Sequence, residues 1–250
     1  MPSPATLRSP AGGGAWREFG ALDELATLRR YDVGETVYHE HTSTDYCYRL
    51  VHGAARKCTV VSKGRRRIVE FLLPGDLFGF GTLFERPYSV EVIVASTIAR
   101  YVRCRVEELA DCEPLVGRSI RERVLETLAR LQWRTVSLGS GTALEKVSAF
   151  LMEMAERSAI DSKNDIMLPM SRYDIADYLG VAVETVSRAL TELRLTGVIT
   201  FRASRCLHII DRGALSHPSC DPTDSHLKIS KPRPGKPLAA TDPLPQRVTQ

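Results

Sequence analysis

Ser171-Arg-Tyr-Asp-Ile-Ala-Asp-Tyr-Leu-Gly180 runs directly into Val181-Ala-Val-Glu-Thr-Val-Ser-Arg-Ala-Leu190 and on to Gly197, and this stretch decides the fold. Ser171 is a residue type that caps helices, and Asp174 three places later puts an anion in the first turn, resembling a capping box. Ile175 and Leu179 lie four apart and supply an apolar face. Gly180 then permits a tight turn. A second helix is expected over about Val183–Leu195, with Val186, Leu190 and Leu193 inward at spacings of 4 and 3. Gly197 closes it as a C-terminal glycine. Two short helices joined by a glycine-containing turn form a helix-turn-helix.

The outward residues at the start of the second helix are Glu184, Thr185, Ser187 and Arg188. A recognition helix reads base edges in the major groove from its N-terminal residues. A glutamate accepts from cytosine N4, and an arginine donates two bonds to guanine O6 and N7. Glu184, Ser187 and Arg188 are therefore the candidate base contacts. The plainer alternative is a helical hairpin in which Glu184 and Arg188 form a solvated i,i+4 ion pair. Beyond the second helix, Val198–Phe201, Arg202–Ser204 and Arg205–Ile210 read as strand, turn and strand, the winged variant of the motif. Ser171, Arg172, Thr185, Arg202 and Arg205 are the candidate phosphate contacts, the class of contact that fixes register on a duplex.

Working outward, Pro114–Leu138 changes to a helical period. Val124, Leu128, Leu131, Thr135 and Leu138 step by 4, 3, 4 and 3, an a/d seam with Pro114 near its start and Gly139 just past its end. Arg118, Arg121, Glu122, Arg123, Glu126 and Arg130 fill the flanks. A seam this narrow on a rod of ~36 Å suits pairing with a twin, so residues 113–139 are expected to be a dimerisation helix held by Val124, Leu128, Leu131 and Leu138. Ser140-Gly141 makes a hinge, and Val147, Phe150, Leu151 and Met154 open the next amphipathic helix. Residues 140–216 thus form the winged helix-turn-helix domain.

Between about Leu22 and Cys104 the pattern is β. Turn signals recur at Val33-Gly34, Ser43-Thr44-Asp45, His52-Gly53, Lys63-Gly64, Pro74-Gly75-Asp76 and Arg86-Pro87, the rhythm of an all-β sandwich or barrel. Ile68, Glu70 and Leu72 alternate with Val69, Phe71 and Leu73, and two largely apolar faces predict a central strand. Lys63-Gly64-Arg65-Arg66-Arg67 reads as an exposed, solvated hairpin tip. Residues 21–112 make this domain. Residues 1–20, with a Gly-Gly-Gly run, read as a loose arm. Residues 217–250 read as a disordered tail, since residues 218–250 hold seven of the 14 prolines and no aromatic residue.

Composition excludes more than it proves. Of 250 residues, 43% are hydrophobic and 26% charged, the balance of an ordinary soluble globular protein. No apolar run approaches the ~18 residues of a spanning helix, and the N-terminus lacks the apolar core of a secretory signal. The cytoplasm is the expected compartment, without membrane contact. The net charge of +4 is nearly silent: residues 141–217 carry −1, while residues 184–205 carry +2 from four arginines against two glutamates. The six cysteines form no C-x2-C pair, so neither a zinc site nor a redox dithiol is expected. Cys47 and Cys104 fall in strand-like runs and read as small buried hydrophobes. One enzyme reading exists. Gly34, His39, His41 and Asp45 faintly follow the cupin metal motif, with two histidines on one strand face, but no histidine follows Pro74-Gly75 to complete a ligand set.

Several motifs together resemble a known family. Met170-x-Arg-x-Asp-Ile-Ala-x-Tyr-Leu-Gly180, Val183-Glu-Thr-Val-Ser-Arg188, Leu73-Pro-Gly-Asp-Leu-Phe-Gly79 and Asp211-Arg-Gly-Ala-Leu215 look like the cyclic-AMP receptor protein/fumarate-nitrate regulator (CRP/FNR) family. The resemblance spans roughly residues 22–216. It implies an α+β protein: an N-terminal β-roll of the cyclic-nucleotide-binding type (a double-stranded β-helix or jelly roll), a long dimerisation helix and a C-terminal winged helix-turn-helix. It also implies a homodimeric activator that reads palindromic TTGA-type half-sites of double-stranded DNA and engages RNA polymerase. Departures locate the branch. Nucleotide-binding members place a glutamate and later Arg-Ser where this chain has Phe80 and Tyr88-Ser89, and a phosphate buried without its arginine costs several kcal/mol. No cysteine precedes Cys47, whereas a cluster needs four thiolates or equivalents. What remains resembles the FixK-type branch, which works without either cofactor on microaerobic, nitrogen-fixation and denitrification genes. An effector-gated sensor with another ligand, such as haem, is the alternative. Ala182 stands where a Ser or Thr commonly caps the recognition helix, a local loss of ~1 kcal/mol.

Overall fold

The computed structural model describes residues 20–43, 45–61, 65–80, 87–139, 141–157 and 164–216. The expected arm up to residue 19, the tail 217–250, Thr44, Lys63-Gly64, Arg86 and Ser140 lie outside the described residues. In chain order the elements are α1 (Gly20–Glu24), β1 (Thr27–Tyr31), β2 (Thr36–Tyr38), β3 (Tyr46–Val61), β4 (Arg65–Leu72), β5 (Leu77–Phe78), β6 (Ser89–Val102), α2 (Arg103–Cys112) and α3 (Pro114–Gly139). They continue with α4 (Ala143–Arg157), β7 (Asp165–Met167), α5 (Arg172–Leu179), α6 (Val183–Leu195), β8 (Ile199–Ala203), β9 (Cys206–Ile209) and α7 (Arg212–Ser216).

Two long antiparallel strands, β3 and β6, run the length of the N-terminal sheet, in the order β1-β6-β3-β4, with β2 on β6 and β5 on β3. Their pairing slips between Leu50 and Ala55. Gly53 lies at this slip with φ 98°, so His52-Gly53 marks a bulge within one strand and not the turn expected from its residues. A Cβ on Gly53 would meet Ser96 and come within 2.7 Å of the Ala95 carbonyl oxygen. Ser96 Oγ accepts from the Ala54 N–H at 3.1 Å, replacing a ladder bond lost at the slip. The irregularity lets both strands pass from one layer to the other.

Tyr31, Tyr48, Leu50, Phe78 and Ile98 from one layer close on Ala55, Leu72, Val90 and Val92 from the other, and this buried cluster is the interior of the roll. Tyr48 stacks on Phe78 at 5.3 Å, and Tyr38 lies 5.4 Å from Tyr48. Leu22, Cys47, Ala99 and Tyr101 point the opposite way and bury with Val106 of α2. Cys104 differs from expectation: it is exposed on α2, not buried in a strand.

β4 also differs. It is the last strand of the sheet, not a central one. Its apolar residues on both faces have another cause. Glu70 pairs with Lys57 and Ile68 with Cys58, so Val69 is an extra residue and the alternation resets there. Ile68 and Phe71 therefore join one cluster with Phe150, Leu151, Met154, Ile175 and Tyr178 of the winged segment, while Leu72 enters the roll. The two halves share a core.

α3 spans the helix expected from its seam, but its faces are reversed relative to an ordinary surface helix. Arg130 and Arg134 turn inward. Arg130 Nη2 bonds Glu70 Oε1 at 3.4 Å and pairs with Asp76 at 3.5 Å. Lys57 Nζ donates to Glu70 Oε2 at 2.5 Å. Burial acts to raise the Glu70 carboxyl, but Lys57, Arg157 and Arg130 outweigh it and hold the group below its ordinary range. Val124, Leu125 and Leu128 meanwhile lie 45%, 61% and 48% exposed. Leu131 is half-buried, and the side chain of Leu138 lies outside the described residues.

Candidate nucleic-acid interface

α4 starts from a box that the sequence reading passed over. Glu145 Oε2 accepts from the Thr142 N–H at 2.6 Å, and Thr142 Oγ1 accepts from the Glu145 N–H at 3.2 Å. Val147, Phe150, Leu151 and Met154 are buried, as their spacing predicts. The cap expected at Ser171 is present in full. Ser171 Oγ accepts from the Asp174 N–H at 3.1 Å, while Asp174 Oδ2 accepts from the Ser171 N–H at 3.0 Å. Gly180 takes the left-handed conformation at φ 67°, and the chain re-enters a helix at Val183. Ala182 occupies the N-cap of α6 without a side-chain bond, leaving backbone donors at that end for another partner.

On α6, Val186, Ala189, Leu190 and Leu193 are buried. Glu184 and Arg188 are exposed, and Thr185 and Ser187 are half-buried. Among the described residues no ion pair joins Glu184 to Arg188, so both remain available to bases. Arg172 Nη1 donates to Ser187 Oγ at 3.3 Å, linking a phosphate candidate on α5 to a base candidate on α6. Their separation of fifteen residues gave the sequence no way to show this. Ser187, Arg188, Thr191, Glu192, Leu195 and Thr196 continue the same face as a shallow surface open to solvent.

The wing is a three-stranded sheet in the order β7-β9-β8, and β7 had no expected counterpart. Asp165 of β7 is its polar anchor. Its Oδ2 accepts from Arg202 Nη1 at 2.9 Å, and its Oδ1 lies 2.6 Å from His208 Nδ1. Arg202 stays exposed, as does Arg205, whose carbonyl accepts from the Leu168 N–H at 2.8 Å. Ser171, Arg172, Glu184, Arg188, Arg202 and Arg205 thus all reach solvent on elements packed around the core shared with β4.

Arg66 and Arg67 of the expected hairpin tip are exposed, as expected, and still reach protein partners. Arg66 Nη1 bonds Glu91 Oε2 at 2.9 Å, and Arg67 Nη1 bonds the Asp177 carbonyl at 3.5 Å. His39 and His41 are exposed in the turn after β2, with His41 at φ 61°, so they do not share a strand face as the cupin motif needs. Among the described residues no three His, Cys, Asp or Glu side chains gather as a metal would require. Among them, too, no helix is long and apolar enough to cross a membrane.

A polar helix start set on a sealed helix-turn-helix, beside an arginine-bearing wing, defines a DNA-binding transcription regulator. Residues 145–217 match the Crp-like helix-turn-helix domain, and residues 28–111 match the Cyclic nucleotide-binding domain. The nitrogen fixation regulation protein FixK of Rhizobium meliloti is 35% identical over 185 residues, covering 74% of this chain and 83% of the relative. Its namesake from Bradyrhizobium diazoefficiens is 37% identical over 184 residues, covering 73% and 78%. The solved structure of FixK2 from Bradyrhizobium japonicum is 36% identical with a TM-score of 0.70, covering 76% of this chain and 95% of that one. The chain belongs to the CRP/FNR family of transcription regulators and is a FixK-like activator. It is not an enzyme, which sets the cupin reading aside.

Proposed function

We propose that the protein binds palindromic TTGA-type sites as a homodimer and does so without a bound effector. In the cytoplasm it recruits RNA polymerase to microaerobic, nitrogen-fixation or denitrification promoters. The observation that carries this reading is the pairing of two outward surfaces. Glu184, Ser187 and Arg188 offer base contacts on α6, and Val124, Leu125 and Leu128 offer an apolar stripe on α3. Ser171, Arg172, Thr185, Arg202 and Arg205 serve as phosphate contacts around the base readers. α3 of a second copy covers the stripe.

The residues of the roll do not fit a cyclic nucleotide. Tyr48 stacks on Phe78 in the interior, and the partly buried Tyr38 ring is tilted against both. At the place where the resemblance calls for Arg-Ser, Ser89 Oγ is taken up by the Glu40 N–H at 2.9 Å. Tyr88 stands where the resemblance calls for the phosphate's arginine, so that position supplies no cation of its own. Footprinting with the purified, unmodified protein alone tests the reading. Protection of a palindrome at nanomolar to tens-of-nanomolar protein supports it; protection only after adding a small molecule or cofactor overturns the effector-free part.

A further inference from the structure

The winged segment connects to α3 through residues 140–142, where Gly141 sits at φ 98°. One short covalent joint does not by itself fix the segment's orientation, so its placement depends on non-covalent contacts. Several of those contacts fall on β4, alongside Arg56–Asp174 and Arg157–Asp76 and the core shared with β3 and β6. β4 ends the sheet, and an open edge of this kind is normally covered. Here side chains cover it. Asp177 Oδ2 of α5 accepts from the Ile68 N–H at 3.2 Å. Arg134 of α3 donates to the Ile68 carbonyl at 3.1 Å, to the Val69 carbonyl, and to the Tyr178 carbonyl of α5 at 2.7 Å.

The Arg134 guanidinium also lies 3.8 Å from the centre of the Tyr178 ring, within cation–π range. One side chain thereby ties together the long helix, the roll's edge and the first helix of the helix-turn-helix. Arg56 of β3 adds an ion pair to Asp174, and Phe71 packs 4.9 Å from Tyr178. Tyr178 OH donates to Glu153 Oε2 at 3.1 Å; burial first, then Glu153, pushes this phenol's pKa up, so it remains a donor. With all of these contacts made, Glu184 and Arg188 stay exposed.

We propose that Arg134 and Asp177 form a positioning latch, which holds the winged segment on the edge of β4 and so sets the distance and rotation between the two recognition helices of a dimer. This rests on the dimeric reading above. Moving a half-site by one base pair shifts it by about 3.4 Å and turns it by roughly 35°. A latched pair of helices matches one spacing, whereas a pair pivoting at Gly141 accommodates several and prefers none strongly.

The test is a set of duplexes carrying one palindrome with its half-sites at the best spacing, or one base pair closer or farther. Binding is measured by fluorescence anisotropy on the full chain. The unmodified protein is expected to prefer its best spacing strongly. Arg134→Ala and Asp177→Ala should each cut that preference about tenfold or more. Asp177→Asn keeps an acceptor for the Ile68 N–H and should restore it. A general loss of stability lowers affinity for every spacing alike and leaves the ratio unmoved, so an unchanged ratio in both alanine variants overturns the latch. Should Arg134→Ala fail to fold, the Asp177 pair decides alone. An unmodified protein that binds single half-sites as well as palindromes overturns the dimeric reading, and the latch with it.

Discussion

α3 and α6 are both amphipathic helices, yet they present opposite faces to the chain that carries them. α6 buries Val186, Leu190 and Leu193 and turns Glu184 and Arg188 to solvent. α3 turns Val124, Leu125 and Leu128 to solvent and gives its own domain Arg130 and Arg134. The difference separates two kinds of partner. A polar outward face on a sealed helix is suited to a hydrated, charged ligand such as a duplex. An apolar outward face, with the inward side already held by guanidinium bonds to carbonyls and carboxylates, is suited to another apolar surface.

Cutting the same leucine from each helix should break the likeness most. Leu190→Ala is expected to lower unfolding stability by about 2–5 kcal/mol, because it empties a buried site. Leu128→Ala should cost the separated chain under about 0.5 kcal/mol in the same denaturant titration, since that side chain is already half exposed. If dilute Leu128→Ala unfolds as easily as Leu190→Ala, the contrast between the helices collapses. Placing Asp at both Leu128 and Leu131 should yield a monomer by sedimentation with its helical content kept. A persistent dimer would show that the stripe is not the contact.

Smaller changes sharpen the α6 side. Arg188→Ala should remove about 1–3 kcal/mol of discrimination at one base pair. Competition against single-base variants reads this, and a uniform loss across all sequences would assign Arg188 to phosphate contact instead. Smallest of all, Ala182→Ser should add ~1 kcal/mol to stability by supplying the missing cap. No rise in the unfolding midpoint would mean that the cap donors already have a partner in water.

The helix-turn-helix was legible because its signals are local. Ser171 with Asp174, Gly180 and the spacing of Val186, Leu190 and Leu193 each act within a few residues of their effect. Gly53 was misread for a physical reason: a left-handed glycine serves a turn and a bulge equally, and only the facing Ser96 distinguishes them. Val69 likewise resets an alternation that looks regular in sequence. Arg130 and Arg134 were the least legible. Periodicity reports which residues share a helix face, but not that carbonyls of a strand edge some 65 residues earlier await Arg134, nor that the Glu70 carboxylate awaits Arg130. The candidate contacts on α6 could be read; the link from Arg172 to Ser187 and the latch could not.

The outward leucines of α3 have a consequence for timing and dose. On the proposed dimeric reading, in which a second copy covers this stripe, the amount of protein is itself a signal. While monomers predominate, dimer concentration rises as the square of total protein, so doubling synthesis gives nearly four times the DNA-competent species by mass action. A regulator that dimerises in this way and needs no effector, as proposed, would answer to how much of it is made.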